Sequence, residues 1–206
     1  MTGSRVQKFA EAQAGIVTVG GGRGFVVAGE HGRLVITAGH CLPHFPPCVS
    51  FSGSDERTYM ELLGPLGGKQ TVAAECLFVD PIGDIAVLGA PDGQELSDEC
   101  EAYEELLECM TPLTMACAKE EMPAWLIDLD GARFRCMVKC QRLGPLWLFD
   151  AAKPIAGGMS GSPILDDSGR AIGVLATSSN MDGHGPNPSL ERNLPGWLHA
   201  SLKDYR

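Results

Sequence analysis

The chain has 206 residues, 44% of them apolar and 20% charged. That is enough for one sizeable domain burying well over half of its unfolded surface, and too balanced for long disorder, a collagen-like repeat or a coiled coil. A formal charge of −10 argues against a phosphate-backbone partner, which needs Lys and Arg in excess on one face, so no nucleic acid is expected. No apolar run reaches the roughly 18 residues of a membrane helix, and residues 1–8 lead into no hydrophobic segment, so the expectation is a cytoplasmic protein without a membrane partner. In that compartment the eight cysteines stay reduced. Their spacing contains no Cys-x-x-Cys pair, which weakens a zinc reading, and most of them read as small buried hydrophobes.

Between Gly15 and Leu88 short β-rich runs alternate with glycine turns, predicting strands over 16–19, 24–28, 33–37, 71–79 and 85–88. Short loops such as Gly20-Gly21-Gly22 and Gly29-Glu30-His31-Gly32 favour a barrel or sandwich over βαβ units. From Asp92 to Glu121 ten carboxylates face a single Lys119, a local net of −9. Tyr103, Leu106, Leu107 and Met110 recur at helical spacing after Ser97, a candidate N-cap, so a short amphipathic helix with a solvated acidic face is predicted there. A second series of strands follows over 125–129 and 133–138, flanking the hairpin signal Asp130-Gly131, then 145–149, 163–165 and 171–175. A last helix runs through Trp197, Leu198 and Leu202.

Acyl transfer by serine needs a nucleophile, a base to take its proton and a carboxylate to orient that base. Ser160 lies in Gly157-Gly158-Met159-Ser160-Gly161-Ser162-Pro163, where glycines permit a tight turn and let a carbonyl approach the amides of Gly158 and Ser160 as an oxyanion hole. The bland alternative is a Gly/Ser turn between strands. His40 closes a strand and enters a small-residue turn, whereas His31, His44, His184 and His199 stand in less distinctive contexts. Asp84 opens the buried run Ile85-Ala86-Val87-Leu88 and needs a strong partner there, such as His40; its rival Asp80 reads as a turn residue before Pro81.

Together, Thr37-Ala38-Gly39-His40-Cys41, Asp84-Ile85-Ala86-Val87-Leu88 and Gly158-Met159-Ser160-Gly161-Ser162-Pro163 resemble the trypsin/chymotrypsin-like serine peptidases in the order His, Asp, Ser. The resemblance is nearest the compact bacterial and intracellular members. It implies an all-β fold of two six-stranded antiparallel barrels, to which the spacing above adds a short acidic helix in their connection and a C-terminal helix. It also implies one peptidase domain over 1–206, with barrels at 14–92 and 113–190. The activity implied is endopeptidase hydrolysis of a protein or peptide, with His40, Asp84 and Ser160 as the triad, no metal or organic cofactor, and room for a regulatory protein partner. Met159 stands where zymogen-activated relatives carry an aspartate, so activation by N-terminal cleavage is not expected. The run 24–28, which resembles the strand that is disulfide-bonded to Cys41 in relatives, has no cysteine. By the same resemblance Pro154 lies at the base of the specificity pocket and Ala176, Thr177 and Ser178 form a wall, which implies a small or medium uncharged residue before the cut. Asp182 and His184 are the residues whose entry into the pocket would change that preference. The rival readings are a catalytically silent protease-fold module that binds peptide or protein, and a Cys/His metal module.

Overall fold

The computed structural model describes residues 10–46, 57–142, 144–176 and 185–202. Six strands, β1 (Ile16–Val19), β2 (Gly22–Gly29), β3 (Gly32–Thr37), β4 (Thr58–Pro65), β5 (Val72–Asp80) and β6 (Ile85–Gly89), close into an antiparallel barrel in the order β1-β2-β3-β6-β5-β4. All five residues of β6 are buried, because the strand lies between β3 and β5 and is covered from outside. The cover is α1 (Ser97–Glu108), whose Tyr103 hydroxyl donates to the carbonyls of Leu88 and Arg33. Tyr103 and Leu107 are the buried residues of the helix, so the predicted amphipathic face exists. The predicted cap does not, since Leu96 holds the N-cap position and Ser97 is already helical. Met110 lies beyond the last turn and packs partly against the core.

Six further strands, β7 (Glu121–Ile127), β8 (Arg133–Cys140), β9 (Leu146–Phe149), β10 (Pro163–Leu165), β11 (Ala171–Val174) and β12 (Gly185–Asn187), form a second antiparallel sheet in the order β11-β10-β7-β8-β9-β12. Among the described residues its ends meet through an isolated bridge from Gly173 to Ser189, to which the bond from the Val174 amide to the Pro188 carbonyl belongs, and through the Ala176 amide's bond to Asn187 Oδ1, which curl it into a half-barrel. Strand β8 alternates cleanly, sending Phe134, Cys136, Val138 and Cys140 inward. Burial pushes the Cys136 thiol up to about 12, as expected of a cysteine that acts as a hydrophobe. Cys41, Cys76, Cys136 and Cys140 are buried, whereas Cys109 and Cys117 are exposed and Cys100 is intermediate. Two short helices, α2 (Leu190–Asn193) and α3 (Gly196–Ser201), finish the described chain, and Leu202 bridges back to Gly29.

Three sequence expectations change. Strands β4 and β12 were not anticipated, and β7 ends at Ile127, so Leu129 is not in a strand. The turn after β7 is a five-residue loop closed by the Ile127–Arg133 pair, not a two-residue Asp130-Gly131 hairpin. Its cause is the Asp128 carboxylate, whose Oδ1 accepts the amides of Asp130 and Ala132 and draws the chain out of the ladder. Among the described residues no helix is long and apolar enough to cross a membrane.

Candidate active site

Strand β3 ends on buried Thr37, and after buried Ala38 the chain passes into a single 3-10 turn, Gly39–Cys41, which carries His40 to the barrel rim. Asp84 stands immediately before β6, at φ +55°, a left-handed conformation that few residues other than Asn, Asp and Gly adopt readily. There its carboxylate grips the histidine twice, with Oδ1 2.8 Å from the His40 amide and Oδ2 2.6 Å from Nδ1. A carboxylate only accepts, so Nδ1 carries the proton and Nε2 is left as the basic nitrogen. The hydrogen bond from Asp84 raises the imidazole above its ordinary range, outweighing the partial burial that acts the other way. Asp80, the rival carboxylate, instead accepts the Ile82 amide in a turn.

Ser160 sits on the segment between β9 and β10, and the first barrel holds its main chain. The Arg23 amide donates to the Ser160 carbonyl at 2.7 Å. A Cβ on Gly22 would lie 2.6 Å from both that carbonyl oxygen and Cys41 Sγ. Gly22 is therefore the contact between the serine's backbone and the residue that follows the histidine. Gly161 has φ +82° and packs against the Arg23 carbonyl and Thr37 Oγ1. On the other side the Gly161 amide donates to Leu175, and buried Ile155 and Met159 anchor the segment in the second core. Gly158 has φ +88°. Among the described residues the amides of Gly158 and Ser160 donate to no backbone carbonyl.

Of the specificity candidates, Pro154 is exposed on this segment. Ala176 is half-buried, and with Asp80, Asp84, Arg142 and Arg192 it lines a cleft of about 790 Å³. Its amide is taken by Asn187 Oδ1 at 2.8 Å. Thr177, Ser178, Asp182 and His184 lie outside the described residues. Among the described residues no group of three or more His, Cys, Asp and Glu side chains is placed to hold a metal ion.

Arg23, Asp128 and Lys153 went unnoticed in the sequence. The Arg23 guanidinium is buried and donates through Nη1 to the carbonyls of Ile127 and Asp128, each at 3.0 Å. Lys153 Nζ lies 2.6 Å from Asp128 Oδ2 and holds that carboxyl below the usual carboxylate range.

The chain is similar in structure to the M. tuberculosis protease Rv3671c in its inactive form, with 17% identity and a TM-score of 0.58 over 96% of this chain and 93% of that one. An inactive serine-to-alanine mutant of the same protein gives 17% identity and a TM-score of 0.55 over 95% and 89% of the two chains. A structure reported with the coupled folding and binding of the intrinsically disordered Sesbania mosaic virus VPg protein gives 16% identity and a TM-score of 0.56 over 90% of each chain. No protein-family model and no curated sequence matches. At such identities the likeness carries the fold, which is the two-barrel chymotrypsin-like one.

Proposed function

We propose that the chain is a serine endopeptidase. The observation that carries the reading is the doubly bonded His40–Asp84 pair, which frees Nε2 as a base at the rim of a chymotrypsin-like first barrel. Ser160 Oγ attacks the scissile carbonyl carbon while His40 Nε2 takes its proton. The tetrahedral oxyanion is held by the amides of Gly158 and Ser160. His40 then passes the proton to the leaving amine, and water releases the acyl group by the same steps in reverse roles.

The reading extends to one peptidase domain over 1–206, with barrels at 14–92 and 113–190, acting in the cytoplasm on protein or peptide substrates. By the family resemblance Pro154, Ala176, Thr177 and Ser178 are the pocket residues, and none of them is charged, so the residue before the cut is small or medium and uncharged. A library of peptides varied at that position checks it, and a dominant Lys or Arg preference would count against it.

Incubation with a fluorophosphonate probe, followed by mapping of the labelled peptide, tests the mechanism directly. Covalent label on Ser160 is the expected result. A folded chain that takes no label, or takes it at another residue, would favour the silent peptide-binding module.

A further inference from the structure

The tip of the β7–β8 hairpin is built on Asp128, and it meets the serine-bearing segment through the Lys153 ion pair and by standing beside Gly158. Asp128 uses Oδ1 for the amides of Asp130 and Ala132, which leaves Oδ2 to receive Lys153 Nζ. One residue on, Leu129 Cδ2 lies 3.7 Å from where a Cβ on Gly158 would sit. Between those two contacts the segment has little polar support of its own. Among the described residues, only one amide of 153–158 finds an acceptor, that of Ala156, and the acceptor is the thioether of Met159, a weak one.

The hairpin tip is itself tied to the first barrel by Arg23, a residue 5% exposed whose guanidinium spends Nη1 on the Ile127 and Asp128 carbonyls. Among the described residues no carboxylate stands within ion-pair range of Arg23. The same residue's amide holds the Ser160 carbonyl. The contacts therefore form a closed circuit, running from the Arg23 side chain to the hairpin tip, to Lys153 and Gly158, along the chain to Ser160, and back to the Arg23 main chain.

We propose that Lys153, acting through Asp128, and Arg23 are positioning residues that hold the 153–160 segment in the shape that aims the Gly158 and Ser160 amides; the proposal rests on the peptidase reading above. An ion pair whose lysine is half-exposed contributes little to global stability. A displacement of about 1 Å at the donors, by contrast, can lower turnover about 10²-fold. The circuit should therefore show itself in rate and local order, and scarcely in the unfolding midpoint.

The test compares the unaltered chain with Lys153→Met, Lys153→Arg, Asp128→Asn and, as a control remote from the circuit, Lys139→Met. Lys153→Met and Asp128→Asn should lower kcat at least tenfold with KM within about twofold, and slow labelling of Ser160 by the fluorophosphonate to match. Lys153→Arg should restore most of the loss, and Lys139→Met should change nothing. Hydrogen exchange of the Met159 and Gly161 amides, the two in this stretch that donate to backbone carbonyls among the described residues, should quicken in the two damaging variants and recover in Lys153→Arg, as followed by mass spectrometry. Arg23→Gln combined with Lys153→Met should lose less than the sum of the two single losses, because members of one circuit act as a unit. Unchanged kcat and unchanged exchange in Lys153→Met would overturn the proposal, and full additivity would remove Arg23 from it. If the unaltered chain is neither labelled nor active, the peptidase reading has failed, and the exchange experiment alone then decides whether the circuit orders the segment.

Discussion

Gly161 and Arg23 meet so closely that a Cβ on the glycine would stand 1.8 Å from the arginine's carbonyl oxygen. No side chain fits there, and φ +82° would strain one even in open space. The two barrels are thus in backbone contact one residue after Ser160. Gly161→Ala should destabilise the protein by at least about 2 kcal/mol and abolish labelling of Ser160. Chemical denaturation alongside the probe assay checks this; a stable, fully labelled variant would show that the contact is slack.

Removing the chemistry should leave the fold in place. Ser160→Ala and His40→Ala are each expected to reduce turnover by a factor on the order of 10⁶, with unchanged circular dichroism. Asp84→Asn should reduce it by a smaller factor, about 10⁴, because an unoriented imidazole still samples the productive tautomer. Undiminished hydrolysis by Ser160→Ala would exclude the mechanism.

The Asp84 hydrogen bond raises the His40 pKa, and this has opposite consequences for rate and stability. As a base His40 must be neutral, so the acid limb of the kcat/KM profile should have its midpoint above the ordinary imidazole value of about 6.5 and fall back toward it in Asp84→Asn. The pair's contribution to stability belongs to the protonated ring. It is fully present below the unfolded-state pKa and is lost as pH rises through the folded-state value. Activity should therefore climb over the window in which this contribution fades, and a pH-rate profile with parallel denaturation curves measures both.

Tyr103 fixes α1 to the first barrel through one hydroxyl shared between the Arg33 and Leu88 carbonyls. Burial drives its pKa upward, so the hydroxyl keeps its proton. Tyr103→Phe keeps the ring and deletes the donor, which should lower stability by about 1–2 kcal/mol in urea denaturation.

How much of this could be read from the sequence depended on the distance over which each residue acts. The apolar runs of β3 and β6 announce themselves, and so do the short motifs around His40, Asp84 and Ser160, because each is a local pattern of glycine, small and apolar residues. Strand β4 hid because Glu61 adopts φ +51° between shifted registers, which breaks the alternation a strand would show. The composition of β12, Gly185-Pro186-Asn187, is that of a turn; Pro186 is tolerated at the edge of the sheet. Arg23 stood unremarked between the Gly20-Gly21-Gly22 turn and the strand at 24–28, while its guanidinium bonds to carbonyls 104 and 105 residues away. No local pattern encodes such a strut.

The half-barrel closes differently from the barrel. Where β1 joins β4 along a ladder, the described residues at the β11 and β12 ends of the sheet meet through the Gly173–Ser189 bridge, which the Val174 bond to Pro188 helps to form, and through the reach of Asn187 Oδ1 to the Ala176 amide. The second of these fastenings is a side chain, and a side chain can turn away without any backbone unfolding. This makes the joint a zip whose last tooth is Asn187, set in the wall of the cleft that also holds Asp84. Thermal expansion of the molecule should concentrate along that line, so the cleft can widen by small steps while both hydrophobic cores stay shut.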